Sequence, residues 1–168
     1  NEGVHTMYKC NAGGRIRFST DSPIIAIYAE IVGMYASSSL GMFGFDLYCD
    51  EGADKGFVGS CLPDFYSKKA NGLINVMGRK WEKGMHYLTL NLPLYAQAQK
   101  LFIGVKKGSK VDKGLSYKDK LPIVYYGSSI TQGGCVSRPG NTYQGIIERR
   151  FNTDYINLGF SGSARGED

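Results

Sequence analysis

The sequence predicts a mainly β protein: an N-terminal β-sandwich followed by the opening strand, helix and strand of an α/β unit. Three observations predict it. Short apolar runs recur at close spacing through the first two-thirds of the chain, with turn residues between them. The 12 tyrosines, eight phenylalanines and 23 glycines suit strands joined by tight turns. After Pro122 the runs become apolar on both faces, which fits a parallel sheet rather than a half-exposed one.

The elements follow in order. "GGRIRFSTDSPIIAIYAEIV" gives two strands around the turn Thr20 to Pro23. "GFDLYCDEG" gives a third, ending in an Asp50-Glu51-Gly52 turn, and "GFVGSCL" a short fourth. "HYLTLNLPL" sets Leu88, Leu90, Leu92 and Leu94 at period two, the pattern of a half-buried strand. "KLFIGVKKG" adds another. With no convincing helix among them, these strands suggest a sandwich. Residues 106–120 are polar and carry Lys106, Lys107, Lys110, Lys113, Lys118 and Lys120, so they read as a linker. "IVYYG" is then a buried parallel strand. "NTYQGIIERRF" is a helix with Tyr143, Ile146, Ile147 and Phe151 on its apolar face and Asn141 or Thr142 as its cap. "DYINLGFSG" is the second parallel strand, and the crossover is expected to be right-handed. One βαβ unit cannot cover both faces of its sheet, so its apolar strands point to association, such as a homo-oligomer, or to disorder.

Composition narrows the function. No apolar run reaches the roughly 20 residues of a membrane helix, so no membrane span is expected. The net charge of +5 could attract an anionic partner, but the lysines cluster in one solvated segment. No nucleic-acid motif accompanies them, and nucleic acid is not an expected partner. Cys10, Cys49, Cys61 and Cys135 include no CxxC pair, and His5 and His86 lie far apart, so no metal or other cofactor is expected. Cys49 and Cys61 flank a turn region and are the one pair considered for a disulfide. The chain opens at Asn1 with no charged n-region and apolar h-region, which suggests a mature form or a fragment. The compartment stays open, with a periplasmic or secreted location the expectation.

The chemistry concentrates in "YYGSSITQGG". Ser129 lies just past the first parallel strand, where α/β sheets gather their functional groups. Gly127 allows a sharp turn, and "GFSG" ends the neighbouring strand, so backbone N–H groups could face the same point. The pattern is not the GxSxG elbow, a P-loop or GxGxxG. Residues of this kind are often mere caps and turns.

Three stretches of sequence sharpen the reading. "YYGSSITQGGC" and "NLGFSG" resemble the first two blocks of the SGNH (GDSL-type) hydrolases, and "GFDLY" resembles the GxDLY signature of a β-sandwich that precedes some of them. The resemblance implies a jelly-roll-like sandwich over residues 1–118 and, over 119–168, the first βαβ unit of a flavodoxin-like hydrolase domain. It implies an esterase or acylhydrolase acting on small acyl esters, with an acylated carbohydrate as one substrate class. Ser129 would be the nucleophile, and its N–H with that of Gly162 would hold the oxyanion. Ser128 stands where the family's usual Asp does, with a local turn hydrogen bond as its plain role. Asp46 and Tyr48 are assigned to structure and Asn157 to a strand end. The family's asparagine block and its Asp-x-x-His do not occur, so the chain alone is expected to be inactive. The alternative is a carbohydrate-binding or structural sandwich, with tyrosines and Trp81 stacking on sugars.

Overall fold

The computed structural model describes residues 2–33, 40–53, 55–64, 66–67, 69–75, 84–119 and 121–166. Trp81 lies outside them. A short helix α1 (Glu2–Met7) leads into β1 (Arg15–Thr20) and β2 (Ile24–Val32). Then come α2 (Leu40–Phe43), β3 (Phe45–Cys49), β4 (Gly56–Cys61), β5 (Lys69–Asn75), β6 (His86–Asn91), β7 (Gln97–Val105) and β8 (Val111–Lys113). The α/β unit is β9 (Ile123–Gly127), α3 (Ser129–Gln132), a 3₁₀ turn (Pro139–Asn141), α4 (Tyr143–Phe151) and β10 (Tyr155–Gly159).

Two antiparallel sheets form the larger part, in the orders β4-β3-β6-β1-β8 and β5-β2-β7. The turn after Thr20 therefore carries the chain from one sheet to the other, because β1 pairs with β6 and β8 while β2 pairs with β5 and β7. Alternation on β2 turns Ile25, Ile27, Ala29 and Ile31 inward. They share one cluster with Phe18, Leu47, Leu88 and Leu90 of the other sheet. Burying each such aliphatic or aromatic side chain contributes about 1.5–3 kcal/mol.

Three expectations need correction, the third of them on the parallel strands below. The lysine-rich segment is not a free linker: Val111–Lys113 pairs with β1 as an edge strand. Lysines on an exposed edge discourage further strand pairing. Further on, Tyr117 accepts a hydrogen bond from Arg15 Nε at 2.8 Å. The second correction concerns α4. Its buried residues are Gln144, Gly145 and Glu148, while Tyr143, Ile146 and Phe151 are exposed. The helix turns its polar side inward because the sandwich surface beneath it is polar and aromatic. Arg149 lies 3.9 Å above the Tyr48 ring, and Glu148 lies within the electrostatic reach of Arg15, Arg17 and Asp50.

Strands β9 and β10 pair in parallel, with Ile123 opposite Tyr155. On one face Tyr125 packs edge-on against Tyr143 and Tyr155. On the other, Val124, Tyr126, Ile156 and Leu158 are exposed, so the strands are not buried on both sides as their composition suggested. Cys49 and Cys61 lie on neighbouring strands as expected, but Cys49 pairs with Gly56 and Cys61 with Phe45, at opposite ends of the ladder, and neither is in a disulfide.

The "GFDLY" stretch joins the two parts. Asp46, fully buried on β3, accepts the Gly140 N–H at 2.9 Å and a hydrogen bond from Asn91 Nδ2 at 2.9 Å. Tyr48 donates its hydroxyl proton to Asn141 Oδ1 at 3.0 Å and accepts from Arg138 Nε at 2.9 Å. Gly140 has no room for a side chain: a Cβ there would stand 2.5 Å from the Tyr48 ring.

Candidate active site

Strand β9 delivers Ser129 to the first position of α3, immediately past the strand's carboxyl end. The Ser128 carbonyl accepts the Gln132 N–H at 2.9 Å, but its side chain makes no cap hydrogen bond, so its expected turn contact is carried by the backbone alone. Gly133 ends the helix with φ 110°. The Ser129 carbonyl then accepts the N–H groups of Gly133 (3.0 Å) and Gly134 (2.7 Å) and the Tyr95 hydroxyl (3.2 Å). Three donors on one carbonyl fix the backbone that carries the serine.

Strand β10 ends in a tight turn beside it. Ser163 N–H closes the turn onto Phe160 O at 2.9 Å, with Gly162 at φ +76°. Phe160 N–H in turn bonds Gly127 O at 2.8 Å, tying the ends of the two strands together. Helix α3 sits directly on the end of β10: a Cβ on Gly159 would lie 2.0 Å from Gln132 N. Asn157 secures the same junction, donating to Thr131 O at 2.8 Å and accepting the Gly159 N–H at 2.8 Å. Gln144 donates to that same Thr131 carbonyl at 2.7 Å.

Gln132 connects all of these pieces. It is fully buried, accepts the Ser161 N–H on Oε1 at 2.8 Å and donates through Nε2 to Leu94 O of the sandwich at 3.1 Å. Sequence reasoning passed over Gln132 and Tyr95. A glutamine before two glycines reads as a turn residue, and the tyrosine follows a strand with no motif around it.

A pocket of about 440 Å³ opens here, lined by Met7, Met42, Tyr95, Ser129, Gly134, Cys135 and Ser161. Ser129 and Ser161 share it, and Gly162 follows directly in the turn. Neither histidine lines it: His5 is exposed on α1, 5.4 Å from the Tyr8 ring, and His86 opens β6. Burial raises the Tyr95 hydroxyl above its ordinary value, so it stays a hydrogen-bond donor at neutral pH. Burial also raises the Cys10 thiol to about 11, which keeps it protonated. Among the described residues no three His, Cys, Asp or Glu side chains cluster as a metal site.

A second cavity of about 320 Å³ lies between α4 and the sandwich, lined by Arg17, Asp50, Glu148 and Arg149 among others. Asp50 accepts from Thr89 Oγ1 at 2.8 Å and lies 3.5 Å from Arg17 Nη2. Burial raises both the Asp50 and Glu148 carboxyls. Of the Arg17 nitrogens only Nη2 reaches a partner among the described residues: Nε and Nη1 are buried without a hydrogen bond.

Comparison with known proteins agrees with this geometry. Residues 1–111 match the model of the GxDLY family, described as the N-terminus of SGNH-hydrolase-type esterases. Residues 120–168 match the GDSL-like lipase/acylhydrolase family. A crystal structure from Bacteroides ovatus, described as that of a GDSL-like lipase, superposes with a TM-score of 0.87 at 30% identity, over 99% of this chain and 49% of that one. The salicylyl-acyltransferase SsfX3 of a tetracycline biosynthetic pathway shares the fold, with a TM-score of 0.73 at 20% identity over 95% of this chain and 43% of that one. The chain thus spans about half the length of both structures. No curated protein matches it. The GxDLY sandwich and the GDSL-like unit in sequence order place this chain in the family of SGNH-type esterases with a GxDLY N-terminal domain.

Proposed function

We propose that Ser129 is the nucleophile of a serine ester hydrolase acting on small acyl esters, including acetyl groups on carbohydrate. The observation that carries the reading is the convergence of Ser129 and the Ser161–Gly162 turn on one pocket, at the carboxyl ends of two parallel strands. Ser129 Oγ attacks the ester carbonyl and passes its proton to a base. The carbonyl oxygen becomes an oxyanion, held by the N–H groups of Ser129 and Gly162. The tetrahedral intermediate collapses, the alcohol leaves, and water later releases the acyl group. At the first position of α3 the Ser129 N–H has no partner within the helix, which leaves it available.

The base is not among these residues. No Asp-x-x-His occurs in the 168, and neither His5 nor His86 lines the pocket. We therefore infer that the 168 residues alone hydrolyse esters slowly, since an unassisted serine hydroxyl is a weak nucleophile. Fluorophosphonate labelling of Ser129 in this chain at the rate of ordinary serine hydrolases would refute that inference. For the main reading, p-nitrophenyl acetate hydrolysis by the full-length gene product should fall about 10⁴-fold or more in Ser129→Ala. Activity that survives the substitution would show that another residue is the nucleophile.

A further inference from the structure

We propose that the N-terminal sandwich builds the wall of the Ser129 pocket that receives the acyl chain of the ester, through Met7, Met42 and Tyr95. The inference rests on Ser129 being the nucleophile and extends the acyl group the site accepts from acetyl to longer alkyl chains. The pocket belongs to neither part alone: Met7 ends α1, Met42 lies in α2 and Tyr95 follows β6, while Ser129, Gly134, Cys135 and Ser161 come from the α/β unit.

The wall is fixed relative to the serine. Met42 O accepts the N–H groups of Leu94 (3.0 Å) and Tyr95 (2.8 Å), which locks α2 to the segment bearing Tyr95. The Tyr95 hydroxyl donates to Ser129 O at 3.2 Å. Asn11 N–H bonds Ala96 O at 3.0 Å, which holds the chain just after α1 to the same segment. The loop after α3 meets α2 so closely that a Cβ on Gly41 would stand 1.7 Å from Val136 O. A shift of the sandwich would therefore move the pocket wall against Ser129.

The chemistry of the wall selects its occupant. Among the described residues no charged side chain lines the pocket. Two thioethers, a thiol and a phenol ring dominate it, and the phenol hydroxyl is already committed to Ser129 O. A sugar would bring several hydroxyls to a surface with almost no free side-chain partners, and unpaired polar groups are costly to bury. A neutral apolar chain needs no such partners. Methionine side chains are unbranched and adapt to a flexible alkyl chain. The carbohydrate or other alcohol then lies outside this pocket, with only the acyl chain within.

The test uses the full-length gene product and p-nitrophenyl acetate, butyrate, hexanoate and octanoate, which share one leaving group. We expect kcat/KM to rise about 4-fold per methylene until the pocket is filled. Met42→Trp should lower the octanoate-to-acetate ratio of kcat/KM by about 10-fold or more. Met7→Trp should do the same, and it covers the case in which Met42→Trp does not fold. A flat wild-type profile, or an unchanged ratio in the folded variants, overturns the proposal if Ser129→Ala still abolishes activity. So does a profile that tracks the length of the alcohol instead of the acyl chain. Activity that persists in Ser129→Ala would overturn the nucleophile assignment itself, and the acyl-wall proposal with it.

Discussion

The carboxylate of Asp46 accepts the backbone N–H of Gly140 at 2.9 Å, across the joint between the sandwich and the α/β unit. The signature stretch "GFDLY" thus holds the 3₁₀ turn that precedes α4. Around the contact, Asn91 donates to the other carboxylate oxygen, and Arg138 Nε stands 3.8 Å away. That ion pair is loose, so burial outweighs it, and the Asp46 carboxyl rises from 3.8 to about 6.

The raised carboxyl predicts a pH dependence of stability. In the folded chain Asp46 holds its proton more tightly than when unfolded, so its contribution is greatest at low pH and is lost as pH rises through about 6. Asp50 and Glu148, also raised by burial, push in the same direction. Urea melts of wild type and Asp46→Asn between pH 7.5 and 4.5 check this. The wild type should gain about 2 kcal/mol relative to the variant as the pH falls. Equal slopes for the two would contradict it.

Gln132 makes a sharper prediction, because its two ends do different work. Gln132→Leu leaves the Ser161 N–H unpaired and should cost about 1–3 kcal/mol in a thermal or urea melt. Gln132→Glu keeps the acceptor for Ser161 but loses the donor to Leu94 O. The reading of Ser161–Gly162 as the oxyanion turn predicts that kcat follows the acceptor end. Ester hydrolysis should be higher in Gln132→Glu than in Gln132→Leu, even where the two are equally stable.

The sequence makes some of this legible and hides the rest for physical reasons. "IVYYG" and "YINLG" show a parallel pair because each is a short β-branched and aromatic run ending in glycine. The period-two leucines of β6 read correctly only in part: Leu88 and Leu90 face one closed core, but Thr89 and Asn91 on the other face are buried too, and the strand ends before Leu92 and Leu94. The buried face of α4 does not follow from its pattern. Amphipathicity predicts burial of Ile146 and Phe151, yet Glu148 is buried beside Arg17 and Asp50, and Gln144 donates to Thr131 O of α3. Ser129 stands out through its local motif. Gln132 and Tyr95 act through contacts 38 and 34 residues apart, which no local pattern reports.

Gly159 and Gly162 should respond very differently to alanine. A Cβ on Gly159 would lie 2.0 Å from Gln132 N, a backbone atom that cannot rotate away. Gly159→Ala should therefore push α3 off β10 and cost more than 3 kcal/mol, in the range of severe overpacking. Around Gly162 the space is open, with nothing within 4 Å of a Cβ, and only its φ of +76° resists a side chain. Gly162→Ala should cost about 1 kcal/mol. Thermal melts of the two variants check the ranking.

Cys49 and Cys61, the one pair considered for a disulfide, give a further prediction. Neither is in a disulfide, and the register sets Cys49 opposite Gly56 and Cys61 opposite Phe45. Four ladder positions separate the two thiols along the strands, which at about 3.4 Å per residue is well beyond the roughly 7 Å Cα separation a disulfide tolerates. Burial also raises the Cys61 thiol, so the reactive thiolate is scarce. Thiol titration in denaturant without reductant should find both cysteines reduced. Dithiothreitol should leave the melting temperature unchanged, whereas a drop of several degrees on reduction would mean that a disulfide braces the fold after all.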